Sequence, residues 1–390
     1  MSTLPGVYNV SMSEPADDRF HLKPAGIKEI ALALGVSIGT VDRALHDRAG
    51  INPLTRARVL KMAKTLGYKP NVAARHLKLR RKLQISVNLP REIASFFDAL
   101  RQGITEAARP FQSSIELRFR SFPRLAEGDS EAFSQALDEG SSGIIIAPGH
   151  PSDMKPWIRR AARSHIPVVC VATDAPGTER LAVISSDPYT GGAMVAEWLG
   201  YVIPRPTRVL LVTGDLSTVD HAEKRRGFEQ FLAANAPHLT MARVIENHDD
   251  PEQAYELTRA ALAEDRSIGA VYVCTANSLP TLQALEEAGR LGDTAVVTTD
   301  LFPALVPHLR SGRILATVYQ RPITQGRMAF QALYQFLVEG TCPPLRQRLP
   351  PHMVLRSNLD LFLEIMPEEV AGQDAPASVI RRPERGGPQS

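Results

Sequence analysis

The side chains with the clearest chemistry in this 390-residue sequence are the basic ones between residues 26 and 82. That segment holds thirteen Lys and Arg against three acidic residues, a net charge of +10 in a chain whose total is +3. The remainder is therefore acidic, −7 by difference. A compact basic module on an acidic body predicts a polyanionic partner. A solvated charged face is the alternative interpretation.

The elements that must position these charges are three short helices. Apolar residues recur at helical spacing, and Gly35 ends the first pattern where a positive φ is easily met. Ser37 is a good N-cap for the second helix, and Asn52 followed by Pro53 is a good start for the third. The apolar stripes are Ile27, Ile30, Ala31 and Leu34, then Val41, Ala44 and Leu45, then Val59, Leu60, Ala63 and Leu66.

Two helices joined by a tight turn, with a third to close the core, predict a helix-turn-helix unit. A generic three-helix bundle is the alternative, and the positive charge favours the DNA-binding form. The second helix would present Ile38, Gly39, Asp42 and Arg43 to a major groove. Ser37 and Thr40 would lie near phosphates.

The stretch "IKEIALALGVSIGTVDRALHDRAGINPLTRARVLKMAKTLGYKPNVAARHLK" resembles the DNA-binding headpiece of the lactose-repressor (LacI) family. The resemblance implies that Ile38, Gly39 and Arg43 read base edges. Residues 71–82 match the hinge helix, which folds on DNA and inserts a leucine into the minor groove. The positions implied to contact the DNA backbone or the minor groove are Thr40, Asn52, Thr55, Tyr68, Asn71, Ala74 and Leu77.

Two residues depart from the family pattern. Gly39 has no side chain where many relatives read a base. Asp42 places a negative charge where a small serine is common, and it could accept from a cytosine amino group, cap the helix or repel DNA. Direct readout by this helix is therefore expected to depend mainly on Arg43, with Ile38 as a second candidate.

From Leu83 onward, apolar strand-like runs alternate with amphipathic helical segments. This alternation predicts parallel strands that are buried on both faces. One series includes "LQISVNL" and "GIIIAP", and a second includes "RVLLVTG" and "AVVTTD". Two series predict an α/β body of two doubly wound lobes, with a ligand cleft at the carboxyl ends of the strands.

The resulting organisation is a helix-turn-helix headpiece over 25–70, a hinge over 71–82 and a two-lobed effector-binding and dimerisation domain over 83–366. Lobe 1 takes about 83–186 plus 322–340, and lobe 2 takes about 187–320 plus 350–362. The polar termini, 1–24 and 367–390, are expected to be disordered.

The family resemblance extends over roughly Leu83 to Leu361, where the body is similar to the periplasmic sugar-binding fold of ribose-binding proteins. Residue by residue, it implies that Phe96 and Phe97, with Ser95 beside them, stack on a sugar ring. Lys224 stands where relatives usually have arginine. Asn277 aligns only with a gap. The remaining residues implied to contact the effector are Asp174, Asp300 and Gln320.

Each of these residues also has a purely structural interpretation. Aromatic residues that begin an amphipathic helix are more often core. Asp174 and Asp300 follow strands, where aspartate commonly caps a helix. Their joint placement at strand ends favours a site, because a polyol needs an apolar platform together with fixed acceptors.

The sequence lacks the motifs that are typical of common enzyme classes, zinc sites and membrane or secreted proteins. The sequence contains no P-loop, HExxH, GxSxG or GxGxxG after a strand, so we expect no catalytic residues, cofactor or metal. A catalytic role for His221, which lies near Asp220 and Lys224, is the alternative interpretation of these residues. No C-x-x-C, membrane-length apolar run or secretory signal is found, which predicts a cytoplasmic protein. We therefore expect a homodimeric, effector-responsive transcriptional repressor on a pseudopalindromic operator. A solute-binding sensor or an enzyme on the same fold is the alternative.

Overall fold

A computed structural model describes residues 26–45, 50–66 and 82–365, in which the N-terminal helices and the α/β body form separate units. The helical unit contains α1 (Ile27–Leu34), α2 (Ile38–Leu45) and α3 (Pro53–Thr65). Gly35 ends α1 with a φ of 64°, a conformation that glycine adopts without strain. The Ser37 hydroxyl accepts the Thr40 N–H at 3.1 Å at the start of α2. Both features agree with the helix boundaries expected from the sequence.

The core of this unit consists of the expected stripes with one exception. Ile30, Val41 and Val59 are completely buried, and Ala31, Ala44 and Ala63 pack around them. Leu60, placed on the third stripe by the sequence pattern, is 43% exposed, so that placement is wrong. Met62 packs against the core instead. The error arises because α3 contains few apolar residues, which leaves the buried face poorly marked.

The body contains two six-stranded sheets. The first is formed by β1 (Leu83–Pro90), β2 (Ile115–Phe122), β3 (Gly143–Ile146), β4 (Val168–Val171), β5 (Ala182–Ser186) and β11 (Arg346–Leu349). The second is formed by β6 (Thr207–Thr213), β7 (Leu239–Glu246), β8 (Ile268–Val273), β9 (Ala295–Thr299), β10 (Ala316–Tyr319) and β12 (His352–Leu355). Their strand orders are β11-β5-β4-β3-β1-β2 and β12-β10-β9-β8-β6-β7. Every pairing is parallel except that of β12 with β10.

Helices cover both faces of each sheet, as expected for parallel strands. In β6, Val209 and Leu211 belong to one apolar cluster while Leu210 and Val212 belong to another. The helices of the body are α4 (Ala94–Ala108), α5 (Asp129–Asp138), α6 (Pro151–Arg163), α7 (Pro188–Val202), α8 (Val219–Asn235), α9 (Pro251–Glu264), α10 (Leu279–Glu287), α11 (Val306–Arg310), α12 (Pro322–Glu339) and α13 (Leu359–Ile365). No described helix combines the length and apolar character needed to cross a membrane.

Glycines let the helices that border the cleft approach their neighbours closely. A Cβ on Gly192 of α7 would lie 1.9 Å from the Lys224 carbonyl oxygen of α8. In lobe 1, a Cβ on Gly103 of α4 would lie 2.1 Å from the Ile323 carbonyl oxygen of α12. Backbone therefore contacts backbone in both pairs, which fixes the positions of α8 and α4.

The two-lobed α/β fold expected from the sequence is confirmed. After β10 the chain crosses from lobe 2 to α12 in lobe 1, as the expected lobe boundaries at residues 320 and 322 imply. Strands β10, β11 and β12 have no counterpart in the expected strand series. Strand β11, for example, is a half-exposed "RQRL" without an apolar run. The expected disordered tails and most of the expected hinge lie outside the described residues.

Candidate functional site

A cavity lies between the two lobes of the body, at the carboxyl ends of the strands. The space between its lining residues, which includes solvent at the open mouth, is about 390 Å³. The residues that line it are Ile93, Phe96, Phe97, Leu125, Ala172, Thr173, Asp220, His221, Lys224, Asp249, Thr275, Ala276, Asp300 and Gln320.

The wall from lobe 1 is largely apolar. Phe96 and Phe97 stand in the first turn of α4 and are both buried. Their rings meet edge to face, with centroids 5.1 Å apart. Leu125, from the loop that follows β2, also faces the cavity. This wall can bind the C–H face of a ligand.

The wall from lobe 2 is polar and buried. Lys224, one turn inside α8, places its Nζ 2.6 Å from Oδ2 of Asp220. Asp300 follows β9 and receives two hydrogen bonds from Gln320, one from the side-chain Nε2 at 2.8 Å and one from the backbone N–H at 3.2 Å. Lys224, Asp300 and Gln320 are each less than 10% exposed, so their polar groups are held in fixed positions.

Burial and charge oppose each other in this wall. Burial raises the pKa of Asp300 to about 6, although the Lys224 ammonium and the Gln320 hydrogen bonds favour its ionised form. For Lys224, burial lowers the pKa, but attraction to Asp220 and Asp300 outweighs it and leaves the pKa above its usual value. Lys224 therefore keeps its proton at neutral pH.

Four polar residues line this wall that the sequence did not assign to the effector site: Asp220, His221, Asp249 and Thr275. The Nδ1 of His221 lies 3.0 Å from the Asp215 backbone nitrogen, which holds the ring against the loop that follows β6. Asp249 follows β7, and its Oδ1 accepts the Thr275 hydroxyl at 2.7 Å. Their positions at strand ends and at a helix start were the available signal.

Backbone conformations that are uncommon for non-glycine residues concentrate around the cavity. Four of its lining residues have a positive φ: Ile93 at 55°, Ala172 at 68°, Asp249 at 57° and Asp300 at 66°. Such conformations persist where the surrounding structure holds them, and they cluster at functional sites.

Five of the eight effector residues implied by the resemblance line the cavity: Phe96, Phe97, Lys224, Asp300 and Gln320. The structure does not bring the other three there. Ser95 is exposed. The Asp174 carboxylate is occupied by Arg180, at 2.5 Å to Nε and 2.8 Å to Nη2.

Asn277, the third, acts behind the cavity wall. Its Nδ2 donates to the Asp249 backbone oxygen at 3.3 Å, which supports the loop that carries this carboxylate. A titratable cluster outside the cavity lining, formed by Asp215, Glu246 and His248, has its ligand-type atoms within 4.8 Å of one another. Nothing else in the described residues connects this cluster to a metal.

The helical unit presents the expected face of α2. Ile38 is 51% exposed, and Ser37, Gly39 and Arg43 are also exposed. The Arg43 Nε donates to the Gly39 carbonyl oxygen at 3.1 Å, so the guanidinium folds along the helix. A Cβ on Gly39 would meet nothing closer than 3.7 Å, which means that packing does not require a glycine there.

The other expected DNA contacts divide into two groups. Asn52 is exposed and caps α3, its Oδ1 accepting the Leu54 N–H at 2.8 Å, while Thr40 and Thr55 are half-buried. Four positions lie outside the described residues and stay predictions: Tyr68, Asn71, Ala74 and Leu77.

Comparison with known proteins separates the same two parts of the chain. A model of bacterial regulatory proteins of the lacI family matches residues 26–71, and a model of the periplasmic binding protein domain matches residues 85–341. Catabolite control protein A of Priestia megaterium is 24% identical over 64% of this chain and 73% of its own length. The transcriptional repressor PurR of Haemophilus influenzae is 22% identical over 87% of this chain and its whole length.

Solved structures with the fold of the body include sugar-binding proteins. A glucose-galactose binding protein from Geobacillus stearothermophilus, at 23% identity, has a TM-score of 0.66 and covers 72% of this chain and 99% of its own. A myo-inositol binding protein from Caulobacter, at 20% identity, has the same TM-score and covers 72% of this chain and 95% of its own. These likenesses confirm the fold. The two family matches and the curated relatives show that this chain is a DNA-binding transcriptional regulator that belongs to the lacI family and carries a periplasmic binding protein domain.

Proposed function

We propose that this protein is a repressor whose affinity for operator DNA is set by a small polyhydroxylated effector, a sugar or polyol, bound between the two lobes. The observation that carries the proposal is the composition of the cavity, in which an aromatic wall faces a wall of fixed, buried polar groups. Sugars present an apolar C–H face and several hydroxyls at once. Buried polar groups give selectivity for such ligands, since an unpaired one costs about 1–3 kcal/mol.

The lobes already contact each other around the cavity, which supports a closure mechanism. The Asp220 backbone N–H of lobe 2 lies 3.4 Å from the Thr173 hydroxyl of lobe 1. Nearby, Arg124 Nη1 of lobe 1 lies 3.1 Å from Asp250 Oδ2 of lobe 2. An effector that contacts both walls favours one arrangement of the lobes. If DNA selects between the same arrangements, effector and operator affinity are linked.

The proposal also covers the oligomeric state of the protein and its functional class. Two headpieces on one homodimer would contact two half-sites of a pseudopalindromic operator. The relatives are transcriptional regulators, and we assign this chain no catalytic role, no cofactor and no metal, and a place in the cytoplasm. The helical unit favours this function over a solute-binding sensor or an enzyme on the same fold.

The test joins DNA and effector binding on one purified sample. Operator fragments are selected by sequencing the genomic DNA that the full chain retains, and one is labelled for anisotropy. Pentoses, hexoses and inositols are then screened for a change in Tm. A ligand present at 100 times its Kd should stabilise the folded protein by about 2.7 kcal/mol and so raise the Tm. We expect at least one hit, and that hit should change the operator Kd.

Asp300→Ala is the decisive variant. It should abolish both the Tm shift and the effect on DNA while leaving effector-free operator affinity nearly unchanged. The matched control is the exposed Asp153, whose replacement by Ala should leave every property intact. A normal effector response in Asp300→Ala would remove this residue from the site.

A further inference from the structure

The charges that face the cavity are unequal. Among its described lining residues, three are carboxylates, Asp220, Asp249 and Asp300, and one is an ammonium, Lys224. Asp249 and Asp300 are each 3% exposed, so water screens them poorly. With all three acids ionised, the cavity wall carries a net charge of −2.

The one ammonium is already neutralised. Its Nζ is 2.6 Å from Asp220 Oδ2, and Asp300 also attracts it. Two arginines of lobe 1 are engaged as well: Arg180 holds Asp174, and Arg124 bridges Glu127 and Asp250. Among the described lining residues, Lys224 is the one Lys or Arg, and Asp220 compensates its charge.

The polar groups instead match hydroxyl donors. Asp220 Oδ1 is buried and has no hydrogen-bond partner within the described part of the chain. A buried acceptor of this kind costs free energy until a donor reaches it, and a ligand O–H in the adjoining cavity would supply that donor. Carboxylates accept hydrogen bonds and cannot donate them when ionised, which makes phosphate and carboxylate groups poor partners for them.

We infer that the effector carries no phosphate or carboxylate group, so that the protein senses a free sugar or polyol and rejects its phosphate ester and its sugar acid. The inference rests on the proposed function. A phosphate ester brings a charge of about −1.5 to −2 at neutral pH into a wall that is already negative. The penalty applies at every orientation in the cavity, because carboxylates occur at three of the strand and helix ends that surround it.

The experiment compares matched pairs. Glucose, galactose, arabinose, tagatose and myo-inositol are each titrated into the full-length protein beside a phosphate ester of the same compound, with Tm and calorimetric Kd as readouts. For any parent that binds, we expect its ester to bind at least tenfold more weakly. An ester that binds as tightly as its parent overturns the inference while the proposed function stands. If no member of any pair binds, the proposed function fails instead.

A charge variant tests the electrostatic cause. Asp220→Asn removes the carboxylate nearest to Lys224 and leaves the ammonium available, so it should raise the affinity for the phosphate ester at least tenfold and lower that for the parent. Glu223→Gln is the matched control, since Glu223 lies on the same helix but pairs with Arg226 outside the cavity lining. An unchanged ester affinity in Asp220→Asn would mean that charge does not exclude anions, and the inference would be wrong.

Discussion

At the residue scale, Asp300 combines burial with a polar role. Its backbone has a positive φ of 66°, and both of its carboxylate oxygens face Gln320. A helix cap would hold its own helix start, whereas this carboxylate is held by a residue that follows a neighbouring strand. The bonding pattern therefore favours a site residue over a cap.

The pH dependence of stability should show the burial of this carboxyl. Its pKa is about 6 in the folded protein against an ordinary 3.8, so the folded state binds the proton more tightly than the unfolded state. Stability contributed by protonated Asp300 is therefore lost as pH rises from about 4 to about 6. Asp300→Asn cannot ionise, and its Tm relative to the natural protein should rise over that range and level off above it.

Asp153→Asn serves as the control for this titration, because the Asp153 side chain is 70% exposed. Its Tm difference from the natural protein should stay flat from pH 4 to pH 7. Parallel curves for the two variants would show that Asp300 does not titrate differently from an exposed aspartate.

Arg43 should carry base specificity, because α2 exposes it while Gly39 presents no side chain. Arg43→Ala should weaken operator binding by about 1–3 kcal/mol and relax the preference at one base position. Competition between operator and scrambled DNA measures this. Arg58→Ala, at an exposed position on α3, is the control. Equal losses on operator and scrambled DNA would assign Arg43 to phosphate contact alone.

At the element scale, the contact between α7 and α8 sets the position of Lys224. Gly192→Ala would drive a methyl group into the Lys224 carbonyl oxygen, and overpacking of this kind costs about 1–3 kcal/mol. We expect a lower Tm and weaker effector binding. Gly191→Ala is the matched control, since its Cβ would meet nothing within 3.8 Å and should be neutral or stabilising. Similar behaviour of the two variants would contradict the close contact.

The loop between β2 and α5 faces the cavity and also contacts the other lobe, so effector binding at this loop can favour one arrangement of the two lobes. Leu125 faces the cavity, and the adjacent Arg124 holds Asp250 across the cleft. Arg124→Ala should weaken effector binding severalfold, because the closed arrangement loses an ion pair, and should change Tm little without effector. Arg160→Ala, which breaks the exposed pair with Asp138 inside lobe 1, should leave effector affinity unchanged. Unchanged affinity in Arg124→Ala would show that this pair does not favour closure.

At the scale of the whole molecule, the DNA-binding segment over residues 26–82 is basic, and the remainder of the chain, which includes the effector-binding body, is acidic. Operator affinity should fall steeply with salt, by about 0.9 in log K per log unit of salt for each phosphate neutralised. Effector affinity should change little between 50 and 300 mM salt, because an uncharged ligand releases no counterions. Titrations of the full chain at several salt concentrations test both, and a steep salt dependence of effector binding would contradict this division.

The sequence by itself determined the class of each part. Helical spacing with Gly35, Ser37 and Asn52 at the boundaries specifies three short helices, because capping and periodicity are local properties. Continuous apolar runs separated by helices specify two parallel sheets, since such strands are buried on both faces. The family resemblance implied that Asp300 and Gln320 contact the effector, and the expected meeting of carboxyl ends of parallel strands at one edge agrees with their position at the cavity.

Only the tertiary structure decided which polar groups remain available to a ligand. Asp174 was assigned to the effector site from the sequence, yet Arg180 occupies its carboxylate, whereas the unassigned Asp220 lines the cavity and has an oxygen without a partner in the described part of the chain. Asp249 follows strand β7 and lines the cavity, while the Asn277 side chain hydrogen-bonds to the Asp249 backbone behind the cavity wall. The physical reason is that hydrogen-bond partners are chosen by distances across loops and lobes, and a local pattern of residue types does not contain those distances.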